Sequence, residues 1–272
     1  MQMTEWNHRE AVVFVDGRQA SNRQAILPWD DPGLTRGLGA FETLPILDGR
    51  PLHLEEHLHR LEQSCGLLGL PAPDLHRLAF QTQMAMATGG APEGVLRIQI
   101  TAGGRQIIGI RPAGLRRTET TAHRLVWPSP PFPSARAKHT SRAGYSLAPR
   151  RHGVDEVIRT TADGHALEGT WSSVFCLRAG SLYTCPDDGR ILPGVTRAKV
   201  LSIASQQGVP VIEEPPSPPE RGDDWFLTSS LHGMVPIHEL DGRRCSPTGP
   251  ISRALGAALD RACGRAPLPE AS

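Results

Sequence analysis

Lysine is nearly missing from this chain of 272 residues. Of its 29 basic side chains only Lys138 and Lys199 are lysines, and the rest are arginine. Chemistry that needs a primary amine therefore has few candidates, because a guanidinium stays protonated. A charge surplus is missing as well: 29 Lys+Arg stand against 28 Asp+Glu, a formal net charge of +1. That argues against a non-specific nucleic-acid binder, which shows a basic stripe. No apolar run approaches the roughly 18 residues of a membrane span. The first residues, MQMTEWNHREAVVFVDG, lack the basic region and long apolar stretch of a signal peptide. The expectation is a cytoplasmic protein with neither membrane nor nucleic-acid partners. The five cysteines, Cys65, Cys176, Cys185, Cys245 and Cys263, are widely spaced, with no CxxC and no His-Cys cluster. Reduced, mostly buried thiols are expected, and no metal site. The apolar share is 39%, enough at this length for a sizeable core.

What is present is a succession of short patterns. AVVFVDGRQ is a β-branched run ended by Asp16-Gly17, a hairpin signal. GLGAFETLPILDGRPLHL predicts a strand, a turn at Asp48-Gly49 and a return strand. Leu54, Leu58, Leu61, Cys65 and Leu68 then fall at helical spacing, so an amphipathic helix is expected that stops near Gly69. A second helix is predicted from Asp74 to Ala87, followed by the alternating strand VLRIQIT and a break at Gly103-Gly104. PSPPFPS, residues 128–134, is too proline-rich for a helix or central strand and reads as a semi-rigid linker. Beyond it come EVIRTT, a turn at Asp163-Gly164, HALEGTWSSVFCL, a turn at Ala179-Gly180 and SLYTC. A helix over Thr196 to Gln206, a strand DWFLTSS, a helix around Ile251–Ala262 and a disordered tail RAPLPEAS complete the pattern. The domain boundaries expected are 1–126 for a small N-terminal α/β domain, 127–136 for the linker and 137–272 for a larger C-terminal domain.

Four features bear on chemistry. In PGVTR, residues 193–197, a helix starts at a turn, and its free N–H groups, the positive end of its dipole and the Thr196 hydroxyl suit a phosphate; an ordinary helix cap is the simpler reading of that feature alone. In HLEEHLHRLEQS, Arg60 follows His57 by three residues and precedes Ser64 by four, so the three share a flank. Such an arginine can grip a phosphate through two N–H groups, while an isolated one is more often a solvated charge. Glu168 is an acid inside the apolar strand HALEGTWSSVF, where a buried carboxylate needs a partner and an exposed edge position does not. Lys138, in ARAKHTSRAGYSLA, can form a Schiff base and serve as general base if its pKa is depressed. Surface lysines are far commoner, but with two in the chain the position of one is informative.

Taken in order, GLGAFET, LEEHLHRLEQS, VLRIQITAGGR, AKHTSR, GVDEVIRTTADGHALEGTWSSVF, ILPGVTRAKV and FLTSSLHGMVPI resemble the class IV aminotransferase family, the fold-type IV enzymes that use pyridoxal 5′-phosphate. The resemblance spans about residues 11–262. It implies a two-domain α/β (α+β) fold with the cofactor mainly on the C-terminal domain, and a homodimer. It also implies roles. Lys138 would hold the cofactor covalently and move the proton at the substrate Cα. Glu168 would keep the pyridine nitrogen protonated, so that the ring acts as an electron sink. Arg60, Val195, Thr196 and Ser230 would hold the phosphate. Lys199 is assigned no catalytic role. This chain departs from the family at Ser173, where an asparagine is usual, at Ala102, where an arginine is common before the glycine loop, and at Pro149, in a segment that relatives carry as a full helix.

Within the family, FET at 41–43, AGGR at 102–105, KHTSR at 138–142 and the segment TSSLHGMVP lean towards 4-amino-4-deoxychorismate lyase, which makes 4-aminobenzoate and pyruvate. Phe41 and Arg105 are the substrate-side candidates, Arg105 for a small amino substrate's carboxylate. The alternatives are a transaminase of D-amino acids or branched-chain amino acids with a 2-oxo acid acceptor, and a cofactor-free, non-catalytic homologue.

Overall fold

The computed structural model describes residues 11–20, 27–89, 91–113, 118–127 and 135–265. The proline-rich run and the tail beyond Arg265, for which a linker and disorder are expected, lie outside the described residues. Two units emerge among them: residues 11–113 with 135–142, and residues 118–127 with 143–265. No helix of the described residues is long and apolar enough to cross a membrane.

The N-terminal unit begins with β1 (Val12–Val15) and β2 (Arg18–Ala20), joined through Asp16 and Gly17 at φ 51° and 80°. Two consecutive left-handed residues make the tight turn that matches strand twist, which is why Asp-Gly is favoured there. The short helix α1 (Pro32–Thr35) precedes β3 (Gly39–Leu47), whose turn at Asp48 and Gly49, φ 48° and 69°, leads into β4 (Arg50–Pro51). Helix α2 (Leu54–Leu68) carries acids Glu55 and Glu56 in its first turn and ends at Gly69 in the left-handed region, as the sequence predicts. After α3 (Leu75–Gly89), strands β5 (Gly94–Thr101) and β6 (Gln106–Pro112) complete a six-stranded antiparallel sheet ordered β2-β1-β6-β5-β3-β4. Leu58, Leu61, Cys65 and Leu68 pack the apolar stripe of α2 onto Leu44, Ile46, Leu96 and Ile98 of the sheet. Truncating a side chain such as Leu61, fully buried in that cluster, removes about 2–5 kcal/mol of stability.

The C-terminal unit contains β7 (Thr120–Val126), α4 (Ala143–His152), β8 (Glu156–Thr160), β9 (Ala166–Gly169), β10 (Ser173–Arg178) and β11 (Ser181–Tyr183). Then follow α5 (Val195–Gln206), β12 (Val211–Ile212), β13 (Asp224–Ser229), β14 (Gly233–Leu240), β15 (Arg243–Arg244) and α6 (Pro250–Ala262). Pro149 sits inside α4, so this segment forms a helix despite losing one backbone donor. HALEGTWSSVFCL reads as one alternating strand in the sequence but folds as two, β9 and β10, with the break at residues 170–172. Strands β10, β13, β14, β7, β8 and β9 follow one another in the sheet, and β9 pairs back onto β10. The six therefore close into a ring, which leaves no edge there. Ala122, Ile158, Val174, Trp225, Leu227 and Ile237 form the apolar cluster of this sheet.

Candidate active site

In the N-terminal unit, Lys138 is held at both ends of its peptide unit. Its N–H donates to Ser64 Oγ at 3.0 Å and its carbonyl accepts from Phe41 N–H at 3.0 Å. The next residue, His139, bridges to Ala40 of β3. The Lys138 Nζ stands 5.1 Å from the centroid of the Phe41 ring, and the Arg97 guanidinium covers the same ring at 3.9 Å. Cation–π contacts of this kind orient a charged head without neutralising it.

One turn along α2 from Ser64, Arg60 meets Glu42 of β3 fork to fork: Nε donates to Oε1 at 2.7 Å and Nη2 to Oε2 at 2.7 Å. His57, one turn earlier, adds Nδ1 to Oε2 at 2.6 Å. Glu42, His57, Arg60 and Ser64 are all buried. Burial alone pushes the Glu42 carboxyl up, but the charge and hydrogen bonds of Arg60, with those of His57, outweigh it and hold the group well below the usual carboxylate range. Burial lowers His57, so the ring is neutral and Nδ1 is the donor to Glu42. Lys138 is pushed down to about 7, first by burial and then by Arg60, with Arg142 and Arg97 adding to the fall and Glu42 opposing it. An amine in that range exchanges protons near neutral pH, as a general base or Schiff-base lysine requires.

In the C-terminal unit, directly opposed strand residues turn their side chains to the same face. The register pairs Arg159 with Glu168, Glu168 with Ser173, Ser173 with Thr228 and Thr228 with Met234, so these five share one face. Arg159 Nη2 donates to Glu168 Oε1 at 2.8 Å and to the Arg190 carbonyl at 2.7 Å, while Leu192 N–H donates to Glu168 Oε2 at 2.8 Å. The carboxylate is thereby fixed in orientation, between a backbone N–H and a buried guanidinium that cannot lose its own proton. Helix α5 abuts the same row. A Cβ on its N-cap Gly194 would lie 2.6 Å from Ser173 Oγ, and glycine permits that approach. No side chain caps the helix, and the first-turn N–H groups of any helix lack intrahelical acceptors. Thr196 Oγ1 lies 3.4 Å from Ser230 Oγ, so the first-turn N–H groups and two hydroxyls gather where a dipole favours an anion.

The sequence profile of the Amino-transferase class IV family matches residues 39–240. The chain belongs to this family. It is 32% identical to the bifunctional aminodeoxychorismate lyase / D-amino acid transaminase of Mycobacterium tuberculosis, over 92% of this chain and 98% of that one. Among solved structures it is similar to a hypothetical aminotransferase from Mycobacterium tuberculosis in its PLP-bound form, with TM-score 0.81, 30% identity and 93% and 98% of the two chains covered. A branched-chain aminotransferase from the archaeon Thermoproteus uzoniensis with norvaline gives TM-score 0.82 at 26% identity, over 92% and 93% of the chains. The α/β fold-type IV architecture expected from the sequence is that of this family of enzymes.

For a class IV amino-transferase, the structure groups the sequence-predicted residues in two sets: Lys138, Arg60 and Phe41 in the N-terminal unit, and Glu168, Val195, Thr196 and Ser230 in the C-terminal one. Arg60 and Glu168, each of which has a solvated reading when taken alone, are both buried. Arg105 stands apart from the first set in its bonding: its Nη1 pairs with Asp16 Oδ2 at 2.6 Å, beside the Gly103-Gly104 turn. Sequence reasoning did not single out Glu42, Arg97, Arg142 or Arg159. The signal that marks Glu168, a charge inside an apolar strand, is equally present for Glu42 in GAFETLPIL and Arg159 in EVIRT.

Proposed function

We propose that this protein is a pyridoxal 5′-phosphate enzyme that converts 4-amino-4-deoxychorismate to 4-aminobenzoate and pyruvate. The observation that carries the reading is Lys138: the chain has two primary side-chain amines, and this one is held by backbone bonds at both ends with its acidity brought to about 7. The donor set fits the cofactor. A phosphate calls for cations and N–H groups, supplied by Arg60 and by the N-terminus of α5 with Thr196 and Ser230. A protonated ring nitrogen calls for an oriented carboxylate, supplied by Glu168. When bound, the cofactor supplies an electron sink for the charge left at the substrate carbon.

The chain's own residues do the rest. Lys138 takes the proton from the carbon that bears the amino group. The enolpyruvyl C–O bond breaks as the ring becomes aromatic, and the leaving group takes a proton to end as pyruvate, so the atoms of the substrate are conserved in the two products. Glu168, held by Arg159 and Leu192, keeps the ring nitrogen's proton in place. Phe41, packed beside Lys138 under Arg97, limits water at the amine and orients it. Arg105 is assigned to a substrate carboxylate only if it leaves Asp16. The protein acts as a cytoplasmic homodimer in this reading.

The second reading is a D-amino-acid transaminase, favoured by the double activity named for the Mycobacterium tuberculosis relative. Purified protein with added cofactor separates these. Expected are a yellow protein whose visible band is lost in Lys138→Ala, and release of 4-aminobenzoate from 4-amino-4-deoxychorismate. Pyruvate from D-alanine and 2-oxoglutarate at a comparable rate, with no 4-aminobenzoate, would replace the lyase by the transaminase. A colourless protein that takes up no pyridoxal phosphate would overturn both.

A further inference from the structure

Around the Lys138 amine the charges are unbalanced. Arg60, Arg97 and Arg142 act on it from one sign and a single carboxylate, Glu42, from the other. The neighbouring histidines do not redress this: burial lowers both, His139 to about 4, and they stay neutral. Glu42 is also the most thoroughly tied group of the cluster. Its two oxygens receive three donor contacts at 2.6 to 2.7 Å, from Arg60 Nε, Arg60 Nη2 and His57 Nδ1, and its side chain is fully sealed from solvent. Its position relative to Lys138 is rigidly coupled, because Phe41, the residue before it, binds the Lys138 carbonyl, and Ser64, one helical turn beyond Arg60, binds the Lys138 N–H.

We propose that Glu42 is a positioning residue for Lys138, a sealed counter-charge held by Arg60 and His57 that offsets the arginines around the amine. A purely structural partner for Arg60 would be served by any shape-filling acceptor. The bond set here instead fixes a full negative charge, and the neutral His57 donor lets it do so without adding a further cation near the lysine. In this arrangement Arg60 and Glu42 act on Lys138 with opposite sign. Removing one or the other must therefore move its proton affinity in opposite directions, whereas loss of packing would move both the same way. The inference rests on Lys138 being the working amine of the proposed function, but its test needs no cofactor.

The shortage of lysine makes the test direct. In full-length, cofactor-free protein labelled with 13C-lysine, the two side chains give two resonances, with Lys199 as internal control. Glu42→Gln is expected to lower the Lys138 titration midpoint by at least one unit, and Arg60→Met to raise it by a similar amount. Glu42→Asp, which restores the charge, is expected to return it to within half a unit of wild type. Lys199 stays put in all of them. Should Glu42→Gln fail to fold, a rise in Arg60→Met together with a near-wild-type value in Glu42→Asp supports the proposal, and the absence of that rise overturns it. Shifts of equal sign in Glu42→Gln and Arg60→Met, or a Lys138 midpoint that ignores both, would likewise overturn it. Cofactor uptake, scored separately on the same proteins, reports on the proposed function and not on this inference.

Discussion

The two units each bury a glutamate–arginine pair, and the pairs are mirror images in what they present. In the N-terminal pair the Glu42 side chain is 0% exposed and Arg60 8%. In the C-terminal pair Arg159 is 0% exposed and Glu168 11%. The same chemistry thus offers a cation from one unit and an anion from the other. In each case the sealed partner fixes the orientation of the less buried one. The difference lies in the bonding as well: Glu42 is gripped by two nitrogens of one guanidinium and by a histidine, Glu168 by one guanidinium nitrogen and a backbone N–H. A buried ion pair adds little net stability, but stranding one member is costly. In the proposed function, such pairs serve to present a defined charge more than to add stability.

Stranding the sealed member is accordingly the strongest way to break the symmetry. Glu168→Leu leaves Arg159 fully buried with no carboxylate, and a guanidinium cannot escape by losing its proton. Urea unfolding is expected to show a loss of about 3–5 kcal/mol; a loss below about 1 kcal/mol would mean that the pair is not coupled as described. Arg60→Met leaves Glu42 its His57 bond but removes the cation that lowers its pKa, so the loss is smaller and depends on pH. In the wild type the Glu42 pKa is held below its ordinary value near 4.5. Its contribution is therefore present above that value and lost as pH falls through the lower, folded one. In the variant that contribution is gone, so the stability gap between the two proteins is expected to widen as pH rises from about 2 to about 5 and to level off above that. A gap independent of pH would point to lost packing alone.

Much of this is legible in the sequence, and the limits have physical reasons. Asp16-Gly17 and Asp48-Gly49 specify their turns locally, and the stripe from Leu54 to Leu68 specifies its helix, because each depends on a few adjacent residues. The order of motifs identifies the family, and the resemblance is what singles out Lys138 and Glu168 as candidates. Periodicity alone does not divide HALEGTWSSVFCL: Gly169 stands at the break, but a lone glycine inside a strand pattern does not say whether the strand ends there. Nor can it show that His57, Arg60 and Ser64 line a buried flank: polar side chains on a helix look solvated until the strand they face is known to carry Glu42. Arg159 escapes for the same reason, because its value depends on a cross-strand partner nine residues away. Charges whose meaning is set by a distant partner are where reading a sequence stops.

The proposed roles of Arg60 toward the cofactor phosphate and of Glu168 toward its ring nitrogen are tested most directly by comparing pyridoxal phosphate with pyridoxal, which lacks the phosphate. Dissociation constants for both are measured on wild type, Arg60→Met and Glu168→Gln. Arg60→Met is expected to weaken pyridoxal phosphate about tenfold or more, roughly 1.4 kcal/mol, while leaving pyridoxal within about twofold. Glu168→Gln is expected to weaken both alike. If Arg60→Met weakened the two compounds equally, or Glu168→Gln affected only the phosphorylated one, the proposed roles of the two residues would be contradicted.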